Sequence, residues 1–287
     1  VYQSEATTNE LSAPYFGMNR DKMVGLAYWG AIEYWGESNI WPKKGWDYSF
    51  FRHSLEPNSQ AYLMKSIFEP EEPLVHIGIA GKVDTLLWND ITVGQTRVTS
   101  HWNREPGKKY TVNVYTNGDE VELFVNGNSL GTKRNDNKRK PNIITWKGVE
   151  YVPGAIEAVA RKDGKPVARH RIETAGEPVS LKMVAENTGW KGDGMDLQYV
   201  RVYAVDRKGR VVPTAVGRVS FEVEGAARLI AVDNGDHSSD ELFCGNSKAL
   251  YEGFAMAIVR SARKPGKVRV TARCDGLKSA SATLVTE

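Results

Sequence analysis

The chain has 287 residues, of which 41% are hydrophobic and 25% charged, and its formal net charge is +3. These values are typical of a folded globular protein and exclude general disorder. The charge is too small for the broad basic face of a nucleic-acid-binding protein. No apolar run approaches the roughly 18 residues of a membrane span, and no Cys/His spacing predicts zinc. We expect two or three domains, with no cofactor, no metal, no nucleic-acid partner and no membrane partner.

The first part of the chain mixes helical and strand patterns. Residues 18–23 predict a short helix, and residues 25–29 predict a buried apolar strand. Residues 59–67 carry apolar side chains at helical spacing and predict an amphipathic helix. The two prolines of residues 69–73 then predict a linker. The composition at Val1 resembles the middle of a strand, as if the chain were cut from a longer polypeptide.

From residue 74 onwards the pattern is that of an all-β protein. Apolar and polar residues alternate with period two, and Asn-Gly or Asp-Gly pairs that favour tight turns follow several of the runs. The predicted strands are 110–116, 121–125, 155–160, 197–205, 219–223 and 267–272. This pattern predicts a mainly β protein with two antiparallel, immunoglobulin-like β-sandwiches, each near the ~100 residues of such a domain. They would span residues 71–178 and 179–287, with the joint at Pro178.

Two smaller features have structural interpretations. Cys244 and Cys274 both lie in the last zone and could form a disulfide. Five basic residues gather around a predicted hairpin tip, where a solvated loop is the favoured interpretation. These residues are Lys133, Arg134, Lys138, Arg139 and Lys140.

The chemically informative segment is residues 25–37. An apolar strand ends at Trp29, and Glu33 and Glu37 follow within eight residues. In a (β/α)8 barrel the carboxyl ends of the strands carry the active site. An indole there could pack against the apolar face of a sugar ring, while the carboxylates bind its hydroxyl groups. The alternative is a core Trp in a buried strand, and the segment alone leaves both open.

The segment resembles the end of the catalytic barrel in glycoside hydrolase family 2, the β-galactosidases and β-glucuronidases. In that family a strand ending in Trp is followed by Asp-Tyr-x-Gly-Glu, and here Glu33 replaces the Asp. Trp41-Pro42 and residues 45–48 resemble the loop that follows. Further motifs resemble the two β-domains behind the barrel. These motifs lie at 101–103, 115–117, 121–127, 151–154, 193–197 and 233–236. The resemblance implies that residues 1–70 are a short α/β remnant of a (β/α)8 barrel.

The resemblance also implies a retaining mechanism, in which one carboxyl attacks the anomeric carbon and another acts as acid/base. The Ser4-Glu5 pair matches the family's nucleophile step, about two dozen residues before Trp29. Glu5 is therefore the candidate nucleophile, with a surface Glu as the alternative. Trp29, Glu33 and Glu37 are the candidate substrate-binding residues, and a loop cap is the alternative for Glu37. The family's acid/base lies on barrel strand 4, which would precede Val1, so this chain is expected to be inactive alone.

Two hypotheses about function follow. In the first, the chain is part of an enzyme that hydrolyses terminal β-galactosides, so its partner is a carbohydrate substrate. In the second, the sandwiches are a carbohydrate-binding or adhesion module without catalysis. Residues 25–37 favour the first, because a binding module has no use for a barrel strand. The natural substrate, the linkage, the compartment and the oligomeric state stay open.

Other candidate sites have structural alternatives. His101-Trp102 could be a sugar platform but is expected to be core. Four aspartates could bind calcium through their oxygens, although turn residues between strands explain them more simply. They are Asp193, Asp196, Asp233 and Asp236.

Overall fold

The computed structural model describes residues 22, 30–37, 41–46, 49–88, 91–137, 141–186 and 189–287, with side chains described outside 83–95. The predicted mainly β, antiparallel fold is confirmed: this part of the chain contains eighteen strands and one helix. That helix is too short to cross a membrane. The helix predicted at 18–23 and the strand predicted at 25–29 lie, apart from Lys22, outside the described residues.

The chain divides into two compact units, Val1–Thr174 and Ala175–Glu287. Within the described residues, unit 1 begins with a small antiparallel hairpin in which Tyr34 pairs with Trp46. Its elements are β1 (Tyr34–Trp35), β2 (Gly45–Trp46), α1 (Ser59–Phe68), β3 (Val75–Trp88), β4 (Ile91–Thr99), β5 (Lys109–Thr116), β6 (Glu120–Val125), β7 (Asn128–Arg134), β8 (Ile143–Glu150), β9 (Ala155–Lys162) and β10 (Lys165–Glu173).

Two four-stranded antiparallel sheets form the sandwich of unit 1, in the orders β4-β3-β5-β8 and β10-β9-β6-β7. The β6–β7 hairpin turns at Asn126 and Gly127, whose φ angles are +49° and +81°. Positive φ at both central residues gives a turn whose twist matches that of the strands, and Asn-Gly tolerates it. Between the sheets lies a core of alternating strand residues. It includes Ile77, Ile79, Val112, Val114, Leu123, Ile156 and Ala158.

α1 packs on the first of these sheets through a separate apolar cluster. Leu63, Met64 and Ile67 on the helix contact a group that includes Tyr115 and Ile143 on the strands. The amide of Asn142 also donates to the Ser66 carbonyl at 3.1 Å. The helix ends at Phe68, and Pro70 follows closely, where its missing N–H and fixed φ would oppose a further turn. The segment before the sandwich is therefore anchored to it by apolar and polar contacts.

Unit 2 consists of β11 (Ser180–Ala185), β12 (Leu197–Val205), β13 (Arg218–Gly225), β14 (Ala227–Asp233), β15 (Ser247–Ala249), β16 (Phe254–Ser261), β17 (Gly266–Cys274) and β18 (Leu277–Thr286). Antiparallel pairing gives the half-sheets β14-β16-β12-β11 and β18-β17-β13-β15. The half-sheets join through one parallel bridge from Ser180 to Lys278. Their inward residues form one core. This core includes Val200, Val202, Val219, Phe221, Ala257, Val268 and Val270.

The two cysteines do not form the disulfide that the sequence left open. Both cysteines are free: Cys244 is exposed and Cys274 is buried. The Cys274 side chain belongs to the unit 2 core, and a Cβ added at Gly217 would lie 2.7 Å from its Sγ atom. Cys274 therefore acts as a small core residue, and its burial raises the pKa of its thiol.

The turn after β12 is stabilised by a buried carboxylate. Asp206 accepts hydrogen bonds from the backbone N–H groups of Gly176, Lys208 and Arg210, and from Arg210 Nε at 2.8 Å. Burial alone raises the pKa of Asp206, but these four donors outweigh it and hold the pKa well below its usual range. The carboxylate therefore stays charged and connects this turn to the residues that open unit 2.

Candidate functional site

The β1–β2 hairpin carries the candidate carboxylate Glu37 on its surface. Gly36 has φ +108°, a conformation suited to glycine, and its N–H donates to the Lys44 carbonyl at 2.9 Å. This closes the hairpin and leaves Glu37 exposed just beyond β1. The Tyr34 hydroxyl donates to Glu37 Oε2 at 2.5 Å. Glu37 is thus an accessible carboxylate whose position is fixed by a neighbouring phenol.

Glu33 occupies a different environment, because only 3% of it is exposed. Its backbone N–H donates to the Phe51 carbonyl at 2.8 Å. Its Oε1 accepts a hydrogen bond from Asn58 Nδ2 at 2.9 Å, and the same amide donates to the Ser49 carbonyl at 2.9 Å. A buried charged oxygen needs such donors. Glu33 therefore ties the start of the hairpin to the residues that precede α1.

Two tryptophans lie near these carboxylates in the sequence and remain partly open to solvent. Trp35 contacts the His53 ring edge-on, with ring centroids 5.3 Å apart. Trp41 is 76% exposed, and Lys44 Nζ lies 5.8 Å from its ring centroid. Exposed indoles together with an accessible carboxylate are groups suited to binding a sugar, since the indole offers an apolar face and the carboxylate accepts hydroxyl hydrogens.

The structure places only some of the predicted site residues. Glu33 and Glu37 lie at the start and end of β1, one buried and one exposed. Glu5 and Trp29 lie outside the described residues, so their roles stay predictions. Sequence reasoning missed Tyr34 and Asn58 as partners of the two carboxylates. Asn58 stands just before α1, where its amide would be expected to cap the helix, but it makes no such bond.

The remaining candidates have structural roles. Trp102 is fully buried in the unit 1 core, with its indole N–H donating to the Val152 carbonyl at 3.2 Å. It is therefore core and not a sugar platform. The four candidate aspartates accept hydrogen bonds from nearby backbone N–H groups, as turn residues do. The bonds to Asp193, Asp196, Asp233 and Asp236 measure 2.7–3.2 Å.

We predict that Asn58→Ala weakens the contacts that the β1–β2 hairpin makes with the residues before α1. The substitution removes both donors of the Asn58 amide and leaves the buried Glu33 oxygen without one of its bonds, which costs about 1–3 kcal/mol. Hydrogen exchange of the amides in residues 30–58 should become faster. Asn128→Ala, which removes an exposed amide from β7, is the control and should change stability by less than about 0.5 kcal/mol. Equal protection in both variants would contradict the prediction.

Comparison with known families places both units. Residues 181–283 match the glycoside hydrolase family 2 C-terminal domain 5. Residues 107–168 match a domain of unknown function, DUF4982.

Two curated relatives and one solved structure extend these matches. A β-galactosidase of Bacteroides ovatus is 37% identical over 195 residues, which are 67% of this chain and 22% of that protein. A β-glucuronidase of Formosa agariphila is 31% identical over 79% of this chain and 21% of its own length. A crystal structure of a glycosyl hydrolase family 2 member from Bacteroides cellulosilyticus covers 100% of this chain and 38% of its own, with 31% identity and a TM-score of 0.88.

Together with these matches, the two β-sandwich units identify the chain as β-domains of the kind that accompany a glycoside hydrolase. The chain belongs to the C-terminal region of glycoside hydrolase family 2. It spans about a fifth of the length of the curated relatives that it matches.

Proposed function

We propose that this chain is the C-terminal part of a retaining β-galactosidase-type enzyme that hydrolyses terminal β-galactosides in glycans. The observation that carries the proposal is the β1–β2 hairpin, which fixes Glu37 at an exposed position beside Tyr34. The Bacteroides ovatus relative, named a β-galactosidase, supports the galactoside. The Formosa agariphila relative, named a β-glucuronidase, makes a glucuronide the substrate to test against it.

In this proposal the residues have distinct roles. Glu5 attacks the anomeric carbon, Trp29 packs under the sugar ring, and Glu37 binds sugar hydroxyls. Glu33 acts indirectly, because its buried carboxylate accepts a hydrogen bond from Asn58 and so holds the hairpin in position. The acid/base comes from an Asn-Glu step on barrel strand 4 of the parent, the full-length enzyme of which this chain is a part. The two sandwich units support the site structurally.

The 287-residue chain alone is expected to show no glycosidase activity. Retaining hydrolysis needs two carboxyl groups about 5 Å apart. The proposal assigns one of them to a part of the parent outside these 287 residues. General acid catalysis alone contributes about 10²–10⁴ in rate. The measurement compares the chain with the intact parent on an aryl β-galactoside and an aryl β-glucuronide.

The outcomes separate the hypotheses. Turnover of the galactoside by the parent and none by the chain supports the proposal. Turnover of the glucuronide instead would keep the enzyme class and replace the substrate. An inactive parent that nevertheless binds a glycan would favour a binding or adhesion module, and turnover by the chain alone would show that the assignment of the catalytic carboxyls is wrong.

A further inference from the structure

A second candidate site lies in unit 2, where β14 begins and β16 ends. A pocket of about 470 Å³ opens there, within the 300–1,000 Å³ typical of small-molecule sites. Its basic lining consists of Arg228 on β14, Arg260 on β16 and Arg263 just beyond β16. The turn at residues 193–195 forms part of its wall.

Two of these arginines face each other across neighbouring strands. Arg228 and Arg260 are direct partners in the antiparallel register of β14 and β16. Side chains at such positions lie on the same face with Cβ atoms about 4.5–5.5 Å apart, and like charges there destabilise the sheet. A bound anion would remove this repulsion, because each guanidinium could donate to it.

Ser261 also lines the pocket but does not face the arginine pair. It follows Arg260 on β16, so its side chain points to the opposite face of the sheet, where its partner Ala227 packs against the unit 2 core. It is buried, and its backbone N–H is satisfied by the Asp196 carbonyl at 3.0 Å. The anion contacts of the pocket therefore come from the arginines.

The carboxylate of Asp193 does not cancel the positive charge of the pocket. Asp193 Oδ1 accepts from the N–H groups of Met195 and Asp196, both at 2.8 Å. These two bonds, first the one from Met195, lower the pKa of Asp193, so its carboxylate stays charged. Gly194 lies in the same turn, and a Cβ there would come within 2.7 Å of Arg263 Cγ. The turn therefore leaves room for the stem of Arg263, and three guanidinium groups stand against one carboxylate.

We propose that this pocket binds an oxyanion, the carboxylate or sulfate group of an acidic saccharide. The guanidinium fork matches the paired oxygens of both groups. The volume accommodates a sugar unit in addition to the anionic group. Met195, 73% exposed at the wall, offers an apolar surface for the ring. The saccharide rests on the proposed glycosidase function, whereas the oxyanion rests on the pocket alone.

The test is calorimetric titration of the full chain with sodium sulfate, sodium glucuronate and glucose at constant ionic strength set with chloride. Saturable binding of sulfate or glucuronate is expected, with glucose at least about tenfold weaker, because it lacks the charged group. Tighter glucuronate binding would assign a sugar carboxylate, and tighter sulfate binding a sulfate group. No saturable binding of either anion would overturn the proposal, and this outcome is independent of any glycosidase activity.

Variants separate a site from general charge attraction. Arg228→Ala and Arg260→Ala should each weaken anion binding at least about tenfold without lowering the melting temperature of the free chain, since each relieves a like-charge pair. Arg207→Ala, the same charge change at an exposed turn outside the pocket, is the control. Equal weakening by Arg207→Ala would overturn the proposal.

Discussion

Replacing Glu5 with Gln in the intact parent should reduce turnover of an aryl β-galactoside by more than about 10³-fold and leave substrate binding largely intact. The amide keeps the shape of the side chain but removes the charge that, in the proposed mechanism, attacks the anomeric carbon. Ser4-Glu5 precedes Trp29 by about two dozen residues, the spacing that separates the ends of strands 7 and 8 in family 2. Because neighbouring barrel strands end side by side, both residues could then face one sugar.

A mechanism-based label tests this assignment directly. A 2-fluoro galactoside should trap a covalent intermediate in the parent, and peptide mapping should place the label on Glu5. Glu10→Gln, which removes a carboxylate five residues later, is the matched control and should retain activity. A label on another carboxylate, or full activity in the Glu5→Gln parent, would leave Ser4-Glu5 as a chance match to a two-residue motif.

Local patterns predicted the elements well where one physical requirement decided the structure. The alternating residues 197–205 coincide with β12, since every second side chain enters the unit 2 core. The helix predicted at 59–67 is α1, one residue longer. The Asn126-Gly127 turn formed because both residues accept a positive φ. In each case the information lies within a few consecutive residues.

Features that depend on distant partners could not be predicted. Arg228 and Arg260 are 32 residues apart, and only the register of β14 and β16 brings them together. The amide of Asn58 bonds to a carboxylate 25 residues earlier and not to its own helix. Cys274 points into a core and so cannot pair with the exposed Cys244. A sequence shows which groups are available, but the fold decides which of them meet.

His76 and His170 are a further pair of this kind, and they give unit 1 a sensitivity to acid. Their rings stack 4.8 Å apart, and His76 also stacks on Tyr62 at 3.8 Å. His170 Nδ1 accepts the Ile77 backbone N–H at 2.9 Å. Burial first, and then the charge of His170, lowers the pKa of His76 from 6.5 to about 3. Burial lowers the pKa of His170 as well.

The direction of the pH dependence follows from these pKa values. Above about pH 6.5 His76 is neutral in both the folded and the unfolded chain, so its titration does not change the stability. Below that pH His76 becomes protonated in the unfolded chain, whereas in the folded chain it stays neutral down to about pH 3. Stability therefore falls as the pH falls through this window, by about 1.4 kcal/mol per pH unit for one such site.

We predict that unit 1 loses about 2 kcal/mol between pH 6.5 and pH 5, a range in which most carboxylates stay ionised and contribute little. His76→Phe keeps a planar ring against Tyr62 and removes the titrating group, so its loss over the same range should be clearly smaller. Tyr62→Phe is the matched control, because it alters the same stack but keeps both imidazoles, and its pH slope should equal that of the natural chain. Denaturant unfolding at each pH gives the slopes. A His76→Phe slope equal to that of Tyr62→Phe would show that the buried imidazole does not cause the acid sensitivity, since only the first variant removes the group that the folded chain keeps neutral.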